Sequence, residues 1–148
     1  MKDYQKATAN GESFTVQGND GVGTLVETLT VATTLTGQDN GKTFILRGAT
    51  EGALITLGAV GTLANFKCKF IVGAAFATTA WTVKATTNVL FGGAIVNSTF
   101  VGCSAQNLIT FAHGAETPGD WLELVSDGVG IFVTGVAAAA GGITFTAP

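Results

Sequence analysis

The chain has 148 residues, of which 21 are glycine and only 11% are charged, and its net charge is −3. That length suits one domain with a sizeable core, and the scarcity of strong helix formers argues against a helical protein. The composition also excludes the clustered basic face that nucleic-acid binding requires, and no apolar run is long enough to predict a membrane-spanning helix. So little charge instead predicts extensive contact with other protein surfaces.

Residues 1–23 are polar and rich in turn-forming residues, and only Ser13–Gln17 has the pattern of an extended piece. We interpret this segment either as a frayed terminus or as an extended N-terminal arm that becomes ordered on a partner surface. In the second interpretation, Tyr4, Phe14 and Val16 anchor the arm. The first residues contain no apolar stretch of the kind found in signal peptides.

The chain from residue 24 to residue 72 contains several segments with the composition or alternation of strands. They are Thr24–Val31, Lys42–Arg47, Leu54–Leu57 and Asn65–Val72. The last is the most regular, and its alternation places Cys68 in the core between two phenylalanines, as an inert thiol. Lys67 and Lys69 point the other way. They form either a solvated face or a partner for the acidic residues between Glu116 and Asp127.

Short strands are predicted at Ala80–Lys84 and Asn88–Phe91, followed by a break at Gly92-Gly93, an extended piece over residues 94–102 and a strand over residues 107–112. Residues 85–115 contain no lysine, arginine, aspartate or glutamate. Such a long stretch without charge predicts a buried layer or a subunit interface.

The clearest unit is a hairpin around Asp127-Gly128, because both central residues of a type I′ turn need positive φ. A two-residue turn pairs Ser126 with Val129. It gives a core face of Leu122, Leu124, Val129, Ile131 and Val133, and a second face with Trp121, Glu123, Val125 and Phe132. Residues 137–142 are too short and too glycine-bounded to predict a helix, and residues 143–146 form a last strand.

Roughly ten to twelve short strands at this spacing predict an all-β fold, namely an antiparallel β-sandwich or barrel-like domain over residues 24–148. Similar pieces recur at Lys42–Ile45, Ile55–Leu57, Ile109–Phe111 and Ile143–Phe145. They follow no fixed period, so the sequence does not predict a solenoid.

Chemistry-bearing residues are sparse and poorly spaced. The chain has one histidine, His113, and two cysteines, Cys68 and Cys103, which do not supply the four ligands of a zinc site. Glu116, Asp120, Glu123 and Asp127 are read as a solvated loop and turn, not as paired catalytic carboxylates. We therefore expect no enzymatic activity, no metal and no cofactor, and we expect both thiols to be free and buried.

Three stretches carry a resemblance to known proteins: GDWLELVSDGVGIFVTGVAAAAGGITF (residues 119–145), GKTFIL (41–46) and FKCKFIVGAAFATTAWTV (66–83). Together they resemble the head decoration, or capsid cement, proteins of tailed bacteriophages. Related turns occur in phage tail-fibre domains, so a tail-fibre or spike module that attaches to host-surface glycans is the alternative.

The resemblance implies a homotrimeric β-domain that is made in the host cytoplasm and seated on the outer surface of the virion capsid. Its partner would be the major capsid protein, and no nucleic acid or membrane would be bound. Set against a chain so poor in charge, five residues become candidates for inter-sheet or subunit contact. These are Trp121, Phe132, Lys67, Lys69 and Glu123.

Overall fold

The computed structural model describes residues 4–9, 12–17, 25–48 and 53–147, the first two ranges as backbone only. The strands are β1 (Tyr4–Ala9), β2 (Glu12–Gln17), β3 (Val26–Leu29), β4 (Thr33–Leu35), β5 (Thr43–Leu46), β6 (Leu54–Leu57), β7 (Phe66–Val72), β8 (Trp81–Lys84), β9 (Leu90–Val96), β10 (Thr99–Gln106), β11 (Leu108–Phe111), β12 (Trp121–Ser126), β13 (Ile131–Ala137) and β14 (Ile143–Thr146). Two single turns of 3₁₀ helix, Gly37–Asp39 and Val60–Thr62, are the only helical pieces in these ranges.

Two sheets pack face to face around one core. The seven-stranded sheet has the order β10-β9-β13-β12-β7-β5-β3, and the five-stranded sheet has the order β14-β11-β8-β6-β4. Alternate side chains of both sheets fill the space between them, because successive residues of a strand point to opposite faces. The largest fully buried side chains include Phe44, Phe70, Trp81, Phe111 and Leu122. The predicted all-β sandwich is therefore confirmed.

The sheets are mixed, however, and not antiparallel as the strand spacing suggested. From β3 to β8 the chain alternates between the two sheets, so that β3, β5 and β7 pair in parallel in one sheet and β4, β6 and β8 pair in parallel in the other. Strands β3 to β8 therefore follow a flattened parallel coil, each turn contributing one strand to each sheet. The coil produces no fixed repeat length in the sequence because the connections between its strands differ in length. Residues 30–32 join β3 to β4, whereas residues 58–65 join β6 to β7.

The hairpin of β12 and β13 lies in the middle of the seven-stranded sheet, between β7 and β9. Its register differs from the predicted one, because Ser126 pairs with Ile131 and residues 127–130 form a four-residue loop. The Asp127 carboxylate closes this loop, since its Oδ1 accepts hydrogen bonds from the N–H groups of Val129 and Gly130, both at 2.8 Å. These two bonds hold the pKa of Asp127 below its usual value.

The two faces of the hairpin are nonetheless the predicted ones, because lengthening the loop by two residues preserves the alternation. Leu122, Leu124 and Ile131 are buried in the core. Val129, assigned to the core face, is 79% exposed because it lies in the loop.

Two other strand predictions need correction. Thr24–Val31 does not continue as one strand, because the chain leaves the seven-stranded sheet after Leu29 and enters the other sheet at Thr33. Gly92-Gly93 does not break the chain either: both glycines lie inside β9 and pair with β10 on one side and with β13 on the other. The turn falls instead at Asn97 and Ser98, which both have positive φ (47° and 64°) as a tight hairpin requires.

Cys68 and Cys103 are free and buried, as expected. Burial raises the pKa of the Cys68 thiol far above its usual value, and burial also raises that of Cys103. Both thiols are therefore protonated and unreactive at neutral pH.

Strands β1 and β2 form an antiparallel hairpin, and among the described strands they pair with each other alone. They occupy the segment for which an extended N-terminal arm was predicted. The side chains of the predicted anchors Tyr4, Phe14 and Val16 lie outside what the structure describes, so their role stays a prediction.

Candidate interaction surface on the seven-stranded sheet

The outer face of the seven-stranded sheet, turned away from the core, carries three cross-strand rows of side chains. The pairing registers align these rows from β10 across β9, β13 and β12 to β7. The first row is Phe100, Ile95, Val136, Trp121 and Ile71; the second is Gly102, Gly93, Thr134, Glu123 and Lys69; the third is Ser104, Phe91, Phe132, Val125 and Lys67. Two rows are thus mainly apolar, and a row of small and polar residues separates them.

Six large apolar side chains of these rows form an exposed group that we call the apolar patch. Its members are Phe91, Ile95, Phe100, Val125, Phe132 and Val136. The most exposed is Phe100, at 63%, and Phe132 is 50% exposed. On β9, β10 and β13 no outward-facing position of the three rows carries a charge. Exposed apolar residues are common singly, whereas these six lie together in a part of the sheet that carries little charge.

Glycines allow the aromatic rings of the patch to lie close to the sheet. A Cβ at Gly93 would come within 2.8 Å of two atoms of the Phe100 ring, and one at Gly102 would contact the same ring at 3.5 Å. Phe100 therefore lies across the middle row and covers the backbone there. The rings of Phe91 and Phe132 have centroids 6.4 Å apart and tilt by 37°, a favourable aromatic pair. Three of the six side chains of the patch therefore contact the sheet or each other.

A charged zone borders the patch where β12 meets β7. Lys67 Nζ lies 3.4 Å from Glu123 Oε1, and Lys69 Nζ lies 4.4 Å from the centre of the Trp121 ring. The first is a largely exposed ion pair of small energetic value, and the second is a cation–π contact. A cleft of about 100 Å³ opens beside them, and Lys42 contributes to its lining.

The structure thus brings all five predicted interface residues onto one face. Trp121, Phe132 and Glu123 come from the central hairpin, and Lys67 and Lys69 come from β7. This face points away from the five-stranded sheet, so these residues do not fill the space between the two described sheets. Their part in a subunit interface stays a prediction.

Lys42 contacts two acidic side chains, an arrangement that no local sequence pattern predicted. Its Nζ donates to Asp39 Oδ1 at 2.8 Å and to Glu27 Oε2 at 3.1 Å, which raises the pKa of Lys42. Burial raises the pKa of Asp39, but hydrogen bonds from Lys42 and from the Thr36 N–H outweigh it, and the net pKa is lowered. Lys42 and Asp39 therefore stay charged at neutral pH.

The prediction of a solvated loop is wrong for Asp120, which is 5% exposed, and for Glu116. The Glu116 side chain is 3% exposed, its Oε1 accepts the Phe76 N–H at 2.7 Å, and that oxygen lies 3.8 Å from His113 Nδ1. In the described part of the chain, no group of three or more metal-ligating side chains comes together, and no helix is long and apolar enough to cross a membrane.

Comparisons with protein-family models, with curated proteins and with solved structures gave no match. The apolar patch is the principal feature of this candidate surface, and one sequence signal points to it: β9 and β13 are apolar on both faces, as in strands that are covered on both sides.

Proposed function

We propose that this protein is a structural component of a larger assembly and that its work is contact between proteins. The observation that carries this proposal is the apolar patch, which exposes three phenylalanines in a charge-free part of the sheet. Keeping such a surface in water costs free energy, which burial against a partner recovers. The bordering charged zone supplies the polar rim that protein interfaces have around an apolar centre.

The resemblance to phage head decoration proteins gives this contact role a specific setting. We propose that the protein binds the outer surface of a bacteriophage capsid and stabilises the joints between major capsid subunits. The sandwich serves as a rigid body, and its surfaces supply the contacts. Each contact is weak, but many copies on one lattice act together, so the lattice gains stability beyond the affinity of any single copy.

Binding to purified virion parts tests this proposal directly. The protein is mixed with expanded, empty capsids and, separately, with whole tails, and each mixture is sedimented. We expect saturable co-sedimentation with capsids and a higher melting temperature of the decorated capsids. Binding to tails alone would favour the tail-fibre or spike alternative, and binding to neither would refute a role on the virion.

The predicted arm has a separate test in the same assay. A chain without residues 1–20 is compared with the full chain for its affinity to capsids and for its circular dichroism spectrum. We expect weaker binding with an unchanged β-sheet spectrum. Unchanged binding would show that the anchors Tyr4, Phe14 and Val16 are not needed.

A further inference from the structure

The composition of the apolar patch limits the kinds of surface that can cover it. A partner that presented charged groups to β9, β10 and β13 would have to bury them without an ionic partner, since the outward-facing positions of these strands carry none. The cover must therefore be apolar over the same area. The same face of a second copy of this chain meets that requirement.

We propose that two copies pack through their apolar patches, face to face and related by a two-fold axis, in place of the homotrimer that the resemblance to head decoration proteins implies. This inference depends on the proposed function only in taking the patch for a contact surface, and it requires no capsid. Two sheets that pack in this way lie about 10 Å apart and interdigitate their side chains. In a two-fold arrangement the same patch of both copies forms the interface, so no second complementary surface is needed.

The size of the patch fits a small interface of this kind. Four strands, β10 to β12 in the order of the sheet, span roughly 19 Å, and seven residues of β9 or β13 span roughly 24 Å, which gives about 450 Å² of flat surface per copy. Two copies would then bury about 900 Å², somewhat less than the 1,200 Å² at the lower end of stable interfaces. We therefore expect a dissociation constant in the micromolar range.

Sedimentation equilibrium of the full chain, from about 1 to 200 µM, tests the proposal. We expect a monomer–dimer equilibrium in the wild-type protein. Phe132→Glu places a charge inside the patch, and it should raise the dissociation constant at least about 100-fold, because each dimer would bury two unpaired carboxylates. Val129→Glu is the matched control: it adds the same charge to the same hairpin, at a 79% exposed loop position outside the patch, and should leave the equilibrium unchanged.

A second patch variant separates loss of the contact from a folding defect in Phe132→Glu. Val136→Glu lies on the same strand and is also exposed, and circular dichroism with thermal unfolding shows whether each variant keeps the wild-type fold. Dimers in the wild type and in Val129→Glu, with monomers in Phe132→Glu and Val136→Glu, would support the proposal. A wild-type monomer at 200 µM, a trimer, or dimers that persist in both patch variants would each overturn it.

The outcome is separable from that of the proposed function. A chain that stays monomeric yet binds capsids would refute the two-fold contact and leave the capsid role standing. A chain that forms dimers through the patch yet binds no capsid would support the two-fold contact and refute the capsid role.

Discussion

Replacing Asp120 with alanine tests how the central hairpin is fixed in the sheet. The Asp120 carboxylate is buried, and it accepts hydrogen bonds from the N–H groups of Thr117 and Ala138, each at 2.9 Å. The first N–H belongs to the loop that enters β12, and the second follows the end of β13, so one side chain ties both ends of the hairpin. Alanine removes both acceptors. At about 1.5 kcal/mol for each lost bond to a charged acceptor, the free energy of unfolding should fall by about 3 kcal/mol.

Urea unfolding at pH 7, followed by tryptophan fluorescence, measures this loss. Asp120→Asn is the matched control: its side chain retains one carbonyl oxygen, so we expect about half of the effect, roughly 1.5 kcal/mol. The dependence of the free energy on urea should stay the same in all three proteins, because the area exposed on unfolding does not change. If the alanine variant lies within about 0.5 kcal/mol of wild type, the two bonds do not hold the hairpin and the reasoning is wrong.

Two further predictions concern close packing and acid stability. A Cβ at Gly135 would lie 2.6 Å from the carbonyl oxygen of Trp121, so Gly135→Ala should lower the free energy of unfolding by about 1–3 kcal/mol. Gly102→Ala is the control: its Cβ would have its nearest contact at 3.5 Å, and it should change the free energy of unfolding by less than about 0.5 kcal/mol. Equal effects of the two substitutions in urea unfolding would contradict the packing argument. Burial raises the pKa of Glu116, but N–H donors, chiefly that of Phe76, outweigh it and lower the net pKa below the ordinary value of 4.5. This stabilisation is present above that value and is lost as pH falls through the lower pKa of the folded state. Glu116→Gln should therefore show a smaller drop in melting temperature than wild type between about pH 5 and pH 3, as measured by calorimetry. Parallel plots of melting temperature against pH for the two proteins would refute the assignment.

Alternation along β7, β12 and β13 was enough to predict which side chains of these strands are buried. In β7 the side chains that point into the core are Phe66, Cys68 and Phe70, as their spacing indicated. A sheet that is covered on one face buries every second residue of a strand. The same rule predicted the outward position of Trp121 and Phe132. It holds without knowledge of partner strands, since the identity of the neighbour does not alter the direction of a side chain.

Register and topology were harder to predict, because they depend on contacts between distant residues. The loop after Ser126 has four residues and not two, since the Asp127 carboxylate accepts from the N–H groups of Val129 and Gly130, an arrangement that the Asp-Gly pair alone does not specify. Gly92-Gly93 continues a strand because Phe100, from the next strand, covers the gap that Gly93 leaves. The parallel coil was missed because its connections differ in length.

The outward surface was predicted only in outline. The charge-free stretch over residues 85–115 indicated a covered layer, and Phe91, Ile95 and Phe100 of the apolar patch come from it. The remaining members come from β12 and β13, which the fold brings alongside through the parallel pairing of β13 with β9. No local pattern predicts that pairing.

The central position of the β12–β13 hairpin has a consequence for how the chain folds. During synthesis, β7 and β9 emerge before the residues that will separate them in the sheet, and each then lacks a neighbour on the side that the hairpin later fills. The coil of β3 to β8 can form early from nearby segments, but the seven-stranded sheet is complete only when residues 121–137 insert. Until then one edge of β7 and one edge of β9 face solvent and can pair with other chains. We therefore expect a chain truncated before Trp121 to aggregate, and the rate of refolding to depend on hairpin insertion more than on assembly of the coil.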